Sequence, residues 1–310
     1  MRKIKISLFL LLVLAGVACD SVEDKKGRFL LKGNEKLDEN DPRGALEFYQ
    51  EALELDSAYS DAWFNKAIAH LQLNQLDEAI LDFSAAIKFQ PDYLEAYFQR
   101  GLSYLDNGEF YKAREDASWL QEKYPSEWKG FFLGGLVQEK LQNFELALEA
   151  FGKALALNPE NSDLLVNQAT IFYYQKDFQK ADSLLAKAKD INPLESNLHN
   201  LESMIAFERK DFVKALESVE KAISLNTSQA YFYNNKGLYL LFLGKPEEGL
   251  EFINRSLKMD ANNLYALRNK GIYYVIKGDK ISALQYLQEL YRDYPEMDLV
   301  TEYYEKAQKL

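Results

Sequence analysis

Side chains able to do covalent chemistry are few in this chain. Cys19 is its single cysteine, and His70 and His199 are its two histidines. A lone thiol cannot close an internal disulfide, and one Cys with two separated His cannot build a Cys/His zinc site. Carboxylate pairs occur at Asp77-Glu78 and Glu247-Glu248, but at the expected starts of helices, where negative charge meets the positive end of the helix dipole. No G-x-S-x-G, phosphate-binding loop, H-E-x-x-H or glycine-rich dinucleotide turn is present. The expectation is a chain with no catalytic group, metal site or cofactor. What does recur is amide chemistry. Asn65, Gln99, Asn167, Asn235 and Asn269 follow one another at intervals of 34 residues or twice that. A carboxamide offers donor and acceptor together, so such a row can pair with the backbone of an extended ligand.

The elements that must position this row are legible from the same interval. Ala45, Ala79, Ala113, Ala147, Ala181, Ala215, Gly249 and Ala283 are spaced by 34 residues without exception. A second ladder of small residues runs twelve residues earlier: Gly33, Ala67, Gly101, Gly135, Ala169, Ser203, Gly237 and Gly271. Around each ladder residue apolar positions recur at helical spacing, as in Ala79, Ile80, Phe83, Ala86 and Ile87. Two helices per repeat follow, approaching closely where their small residues cross. Gly108, Gly244 and Gly278, with Asn74 in another repeat, mark the turn between them, where positive φ must be tolerated. Pro91, Pro125, Pro159, Pro193 and Pro295 stop the second helix, and Pro42 and Pro246 open it.

This pattern resembles the tetratricopeptide repeat family, with eight units at 26–59, 60–93, 94–127, 128–161, 162–195, 196–229, 230–263 and 264–297. The large residue that the family places early in its first helix appears as Phe29, Trp63, Tyr97, Phe131, Leu165, His199, Tyr233 and Leu267. Ser57, Thr227 and Ala261 depart from the terminal proline. Residues 298–310 read as a capping helix that covers the last repeat with Leu299, Val300, Tyr303, Tyr304 and Ala307. Lys36 replaces an apolar residue in the first repeat, so partial fraying of its first helix is expected.

The resemblance implies an all-α, right-handed solenoid whose first helices line a concave groove for peptides or partner proteins. The carboxamide row then falls on that groove, although asparagine is ordinary at this position of the family. One residue earlier stand Phe64, Phe98 and Phe132, followed by Asn200, Asn234 and Arg268. Two readings are open for the phenylalanines: they form an apolar half of the groove, or they pack between repeats. The candidate groove set is Phe64, Asn65, Phe98, Gln99, Phe132, Asn167, Asn234, Asn235, Arg268 and Asn269.

The N-terminus has its own signature. Arg2, Lys3 and Lys5 precede the uncharged stretch Ile6 to Ala18, the form of a secretory signal too short to span a bilayer as a helix. Gly16-Val17-Ala18-Cys19 resembles the lipobox of bacterial lipoproteins, which implies cleavage after residue 18 and lipidation of Cys19. Residues 19–25 then read as an acidic tether. The net charge of −11 becomes −14 once Arg2, Lys3 and Lys5 are removed, which disfavours binding to nucleic acid. The functional expectation is a non-enzymatic, lipid-anchored adaptor of the bacterial cell envelope, periplasmic or outward-facing, that holds a protein or peptide partner. A glycan-binding or uptake-associated surface lipoprotein is the alternative.

Overall fold

Seventeen α-helices and no strand make up residues 21–310, the part of the chain described by the computed structural model. Cys19 and the leader 1–18 lie outside the described residues. Two compact units divide the chain at Lys123 and Tyr124. The first holds α1 (Val22–Asp38), α2 (Pro42–Leu55), α3 (Ser60–Gln72), α4 (Leu76–Phe89), α5 (Leu94–Asp106) and α6 (Phe110–Lys123). The second holds α7 (Trp128–Lys140), α8 (Phe144–Leu157), α9 (Ser162–Tyr174), α10 (Phe178–Ile191), α11 (Ser196–Glu208) and α12 (Phe212–Leu225). It continues with α13 (Ala230–Phe242), α14 (Pro246–Met259), α15 (Leu264–Lys277), α16 (Lys280–Asp293) and α17 (Val300–Lys309).

Each odd-numbered helix from α1 to α15 turns into the next through a residue of left-handed φ. These are Asn40, Asn74, Gly108, Gln142, Lys176, Lys210, Gly244 and Gly278, each 34 residues from the next. Beyond the glycines, Asn74 and the equally tolerant residue type at Asn40, the sequence carries no sign of the other three. Side chains of Asp41, Asp177, Asp211 and Asp279 then cap the following helix by accepting a backbone N–H from its first turn.

Large side chains from the second helix press on the small-residue ladder of the first. An alanine methyl at Gly135 would run into the Phe151 ring, and one at Gly33 into Tyr49. In the seventh hairpin both ladder positions are glycine, and a methyl at Gly237 would lie 2.8 Å from the backbone oxygen of Gly249. Tyr49, Phe83 and Phe151 are fully buried in these crossings, each contributing about 2–3 kcal/mol by removal from water.

Taking Lys26 as position one of its repeat, several polar side chains at position four reach back to a carbonyl six residues earlier. Trp63 Nε1 donates to Ser57 O (3.0 Å), Tyr233 OH to Thr227 O (3.1 Å) and Thr301 Oγ1 to Pro295 O (3.0 Å). His199 belongs to this series. Its Nε2 lies 2.9 Å from Pro193 O and its Nδ1 3.0 Å from Glu202 Oε2. A carbonyl only accepts, so Nε2 is the donor and the ring ties one hairpin to the next.

The N-terminal end of the array differs from expectation. Residues 21–25 are not a tether: Ser21 and Asp24 form a capping box, and α1 already begins at Val22. Lys26 fixes the start, pairing with Glu23 (2.8 Å) and with Asp56 (2.6 Å) on the next connection. The fraying expected from Lys36 is absent, because α1 runs unbroken to Asp38 and the Lys36 ammonium pairs with Glu39 at 2.6 Å. At the other end α17 packs on α16 and α15, burying Val300, Tyr303 and Ala307.

Candidate binding groove

In the second unit α9, α11, α13 and α15 pack side by side, so residues 34 or 35 apart come next to one another. Their polar side chains therefore meet across helices. Tyr231 OH donates to Asn197 Oδ1 (2.6 Å), Asn235 Nδ2 to Asn200 Oδ1 (2.9 Å), and Asn269 Nδ2 to Asn234 Oδ1 (2.6 Å). Tyr173 OH donates to Glu208 Oε1 at 3.3 Å. Buried polar groups need such partners, and each amide supplies both halves of a bond.

Two adjoining cavities open on this face. The larger, about 670 Å³, is walled by Asn167, Asn234 and Asn235 together with Tyr173, Tyr174, Tyr231, Tyr265 and Met204, and by the carboxylates of Asp163, Glu195 and Asp298. The smaller, about 440 Å³, shares Tyr173, Met204, Asn235, Tyr265 and Asp298 and adds Phe207, Phe242, Leu238 and Arg268. Arg268 is 5% exposed, and burial brings its guanidinium down to about 10. It donates through Nε to Asn269 Oδ1 and through Nη1 to the carbonyl of Asp298, both at 2.9 Å, with the Tyr265 ring beneath it. Lys176 pairs with Glu208 at 3.4 Å and approaches Asp298 at 3.8 Å, linking α9's turn to the segment before α17. Leu299, in that segment, has φ +68, a strained conformation for a branched side chain.

The candidate residues thus separate into three groups. Asn167, Asn234, Asn235 and Arg268 stand on cavity walls. Asn269 is fully buried and spends its amide on Asn234 and Arg268, so it presents no surface to a ligand, contrary to its expected place in the row. Phe64, Asn65, Phe98, Gln99 and Phe132 line neither cavity. Phe64 packs on Phe83 and Tyr93 with ring centroids 5.5 and 5.1 Å apart, Phe98 is 6% exposed, and Phe132 lies against Trp128 and Phe151. These contacts match the packing reading of the phenylalanines. Asn65 donates to Asn34 Oδ1 (3.1 Å) and Gln99 to Glu95 (3.3 Å). The four tyrosines of the larger cavity were missed, because they fall at three different repeat positions rather than in one row.

Among the described residues no group of three or more His, Cys, Asp or Glu side chains is placed to hold a metal ion, and no helix is long and apolar enough to cross a membrane.

Helical hairpins stacked in register, crossing at small residues and closed by a terminal helix, define an α-solenoid repeat protein. The family described as Tetratricopeptide repeat matches residues 30–93, 98–162, 140–205 and 230–263, and the chain belongs to it. Among curated proteins, 156 residues (48% of the chain) are 29% identical to human protein O-mannosyl-transferase TMTC3, covering 17% of that protein. A further match of 46% identity over 48 residues, 16% of the chain, is to an uncharacterized protein of Methanocaldococcus jannaschii, 56% of which is covered. The chain thus spans less than two thirds of the length of either relative. Among solved structures, yeast Tom70 aligns with TM-score 0.60 at 18% identity over 94% of this chain and 65% of its own. Pseudomonas aeruginosa pilF aligns with TM-score 0.53 at 24% identity over 70% of this chain and 97% of its own. These likenesses are of fold. Repeats of this family make protein–protein interaction scaffolds, and proteins built from them generally bind protein partners.

Proposed function

We propose that this chain is a non-enzymatic adaptor, lipid-anchored through Cys19 at the bacterial cell envelope, that holds a protein or peptide segment along the first helices of its second unit. The observation that carries the reading is the pair of adjoining cavities, about 670 and 440 Å³, walled by tyrosine, asparagine and apolar side chains of α9, α11, α13 and α15. Aromatic bodies with polar tips, beside side chains that donate and accept, suit a backbone in extended form. The anchor rests on the basic head, the uncharged stretch and Gly16-Val17-Ala18-Cys19. Two or more acyl chains give durable attachment where a single chain does not. Assembly of pili, of the outer membrane or of peptidoglycan is the class of process such an adaptor serves. The test is crosslinked capture from intact envelopes with the wild type and Cys19→Ala. A common protein partner with both forms, and loss of membrane association in Cys19→Ala alone, is expected. Absence of any enriched protein with either form overturns the adaptor reading, and membrane retention of Cys19→Ala overturns the anchor.

A further inference from the structure

The larger cavity carries a charge pattern that narrows its ligand, given that the groove takes a peptide as proposed above. Asp163 opens α9 and Glu195 caps α11, and both line this cavity. Their carboxyl groups lie within hydrogen-bonding reach of one another, and burial followed by that neighbour raises Glu195 above the usual carboxylate range. Glu195 also accepts the backbone N–H of Asn197 at 3.0 Å, whose side chain in turn takes the Tyr231 hydroxyl. Tyr231 stands close enough to Glu195 to feel its charge; burial first, then that carboxylate, pushes its hydroxyl up to about 12. The rings of Tyr174, Tyr231 and Tyr265 remain 47%, 39% and 54% exposed on the same cavity.

Carboxylates and aromatic faces both present negative potential, and the two carboxylates stand against each other. A neutral ligand would strip water from both and deepen their repulsion. A cation relieves it and gains the attraction of the ring faces as well. The two lysines on the wall do not supply that cation: Lys176 is engaged with Glu208, and Lys140 neighbours Glu139.

We propose that this cavity seats a lysine or arginine side chain of the bound peptide, with its cation between Asp163 and Glu195 and against the ring of Tyr231. An acidic protein holding a basic segment also brings complementary net charge, −11 on this side. Selection of randomised dodecapeptides displayed on phage, against the full-length chain and against Asp163→Asn/Glu195→Gln, tests it directly. Glu195→Gln keeps the oxygen that accepts the Asn197 N–H, the start of α9 is capped by Asn161 rather than by Asp163, and thermal melts check that the fold is retained. The expected result is one position dominated by lysine or arginine among peptides selected by the wild type. Such peptides should bind the double variant at least tenfold more weakly, the same peptide with norleucine at that position should be insensitive to the substitutions, and Ile281→Ser, remote from the walls, should bind as the wild type. Enriched peptides with no basic position, or basic peptides that bind both proteins alike, overturn the basic-anchor proposal and leave peptide binding standing. Failure to enrich any peptide, with oligosaccharides binding instead and losing affinity in Tyr231→Ala, overturns both.

Discussion

Adding a single methyl group at Gly249 should force α13 and α14 apart. Its Cβ would stand 2.8 Å from the carbonyl oxygen of Gly237 and 2.9 Å from Leu241 Cδ2. Comfortable carbon contacts begin near 3.5 Å, so about 0.6 Å must open. The oxygen belongs to the backbone and no rotamer change moves it. Overpacking of this kind costs about 1–3 kcal/mol, and the better helix propensity of alanine returns about 1 kcal/mol, leaving a net loss of about 0–2 kcal/mol. Gly152→Ala is the control, since its nearest outside atom is Gln168 Nε2 at 3.9 Å. That variant should gain about 0.5–1 kcal/mol from propensity alone. Guanidinium unfolding followed by helical circular dichroism measures both, and amide exchange localises the effect to α13 and α14, because repeat arrays can open in parts. A Gly249→Ala protein that gains as much stability as Gly152→Ala would refute the backbone-contact explanation.

The left-handed turn residues Gln142 and Lys210 should each yield about 0.5–1 kcal/mol of stability when changed to glycine, while Gly278→Ala should lose about 1 kcal/mol in the same denaturation assay. Arg268→Ala leaves the Asp298 carbonyl and Asn269 Oδ1 without their donor; a loss of about 2–3 kcal/mol is expected, with faster amide exchange in α17 as its signature. Asp82 is held above its usual value of 3.8 by burial, against the pull of Lys66 at 3.2 Å and of His70, whose Nε2 lies 3.4 Å from Oδ2 without a formed hydrogen bond. From 3.8 up to that raised value the native state holds more protons than the unfolded one, so this group makes stability fall as pH rises through the window. Urea melts between about pH 3 and 6 should show that slope weakened in Asp82→Asn; an unchanged slope would assign it to other groups.

The fold was legible because its repeat places chemically similar residues at one interval, and close helix crossings admit only small side chains. The turns at Gln142, Lys176 and Lys210 were not, since nothing in those residue types announces positive φ. Asn40 gave the same conformation under a residue type that tolerates it. The groove was harder to read. Asn269 and Asn235 look like ligand-facing amides when each repeat is taken alone, but residues 35 apart lie side by side, and each amide satisfies the next. Arg268 reads as a polar surface residue by type, yet the chain segment preceding α17 buries it. The four tyrosines of the larger cavity come from three repeat positions on α9, α13 and α15, and no single periodicity connects them. The start of α1 depended on three residues, Ser21, Asp24 and Lys26, whose charges by themselves suit a solvated tether equally well.

Site-specific photocrosslinking tests the central claim most directly. A photoreactive amino acid replaces Tyr265, which is 54% exposed on both cavity walls, or Ile281, which is 82% exposed and lines neither. In intact envelopes the residue-265 probe should trap a discrete protein partner through a short segment, identified by mass spectrometry of the crosslinked peptide, and the residue-281 probe should not. Equal labelling from both positions, or none from position 265 while the partner is still captured by a general crosslinker, would contradict binding along the first helices of the second unit.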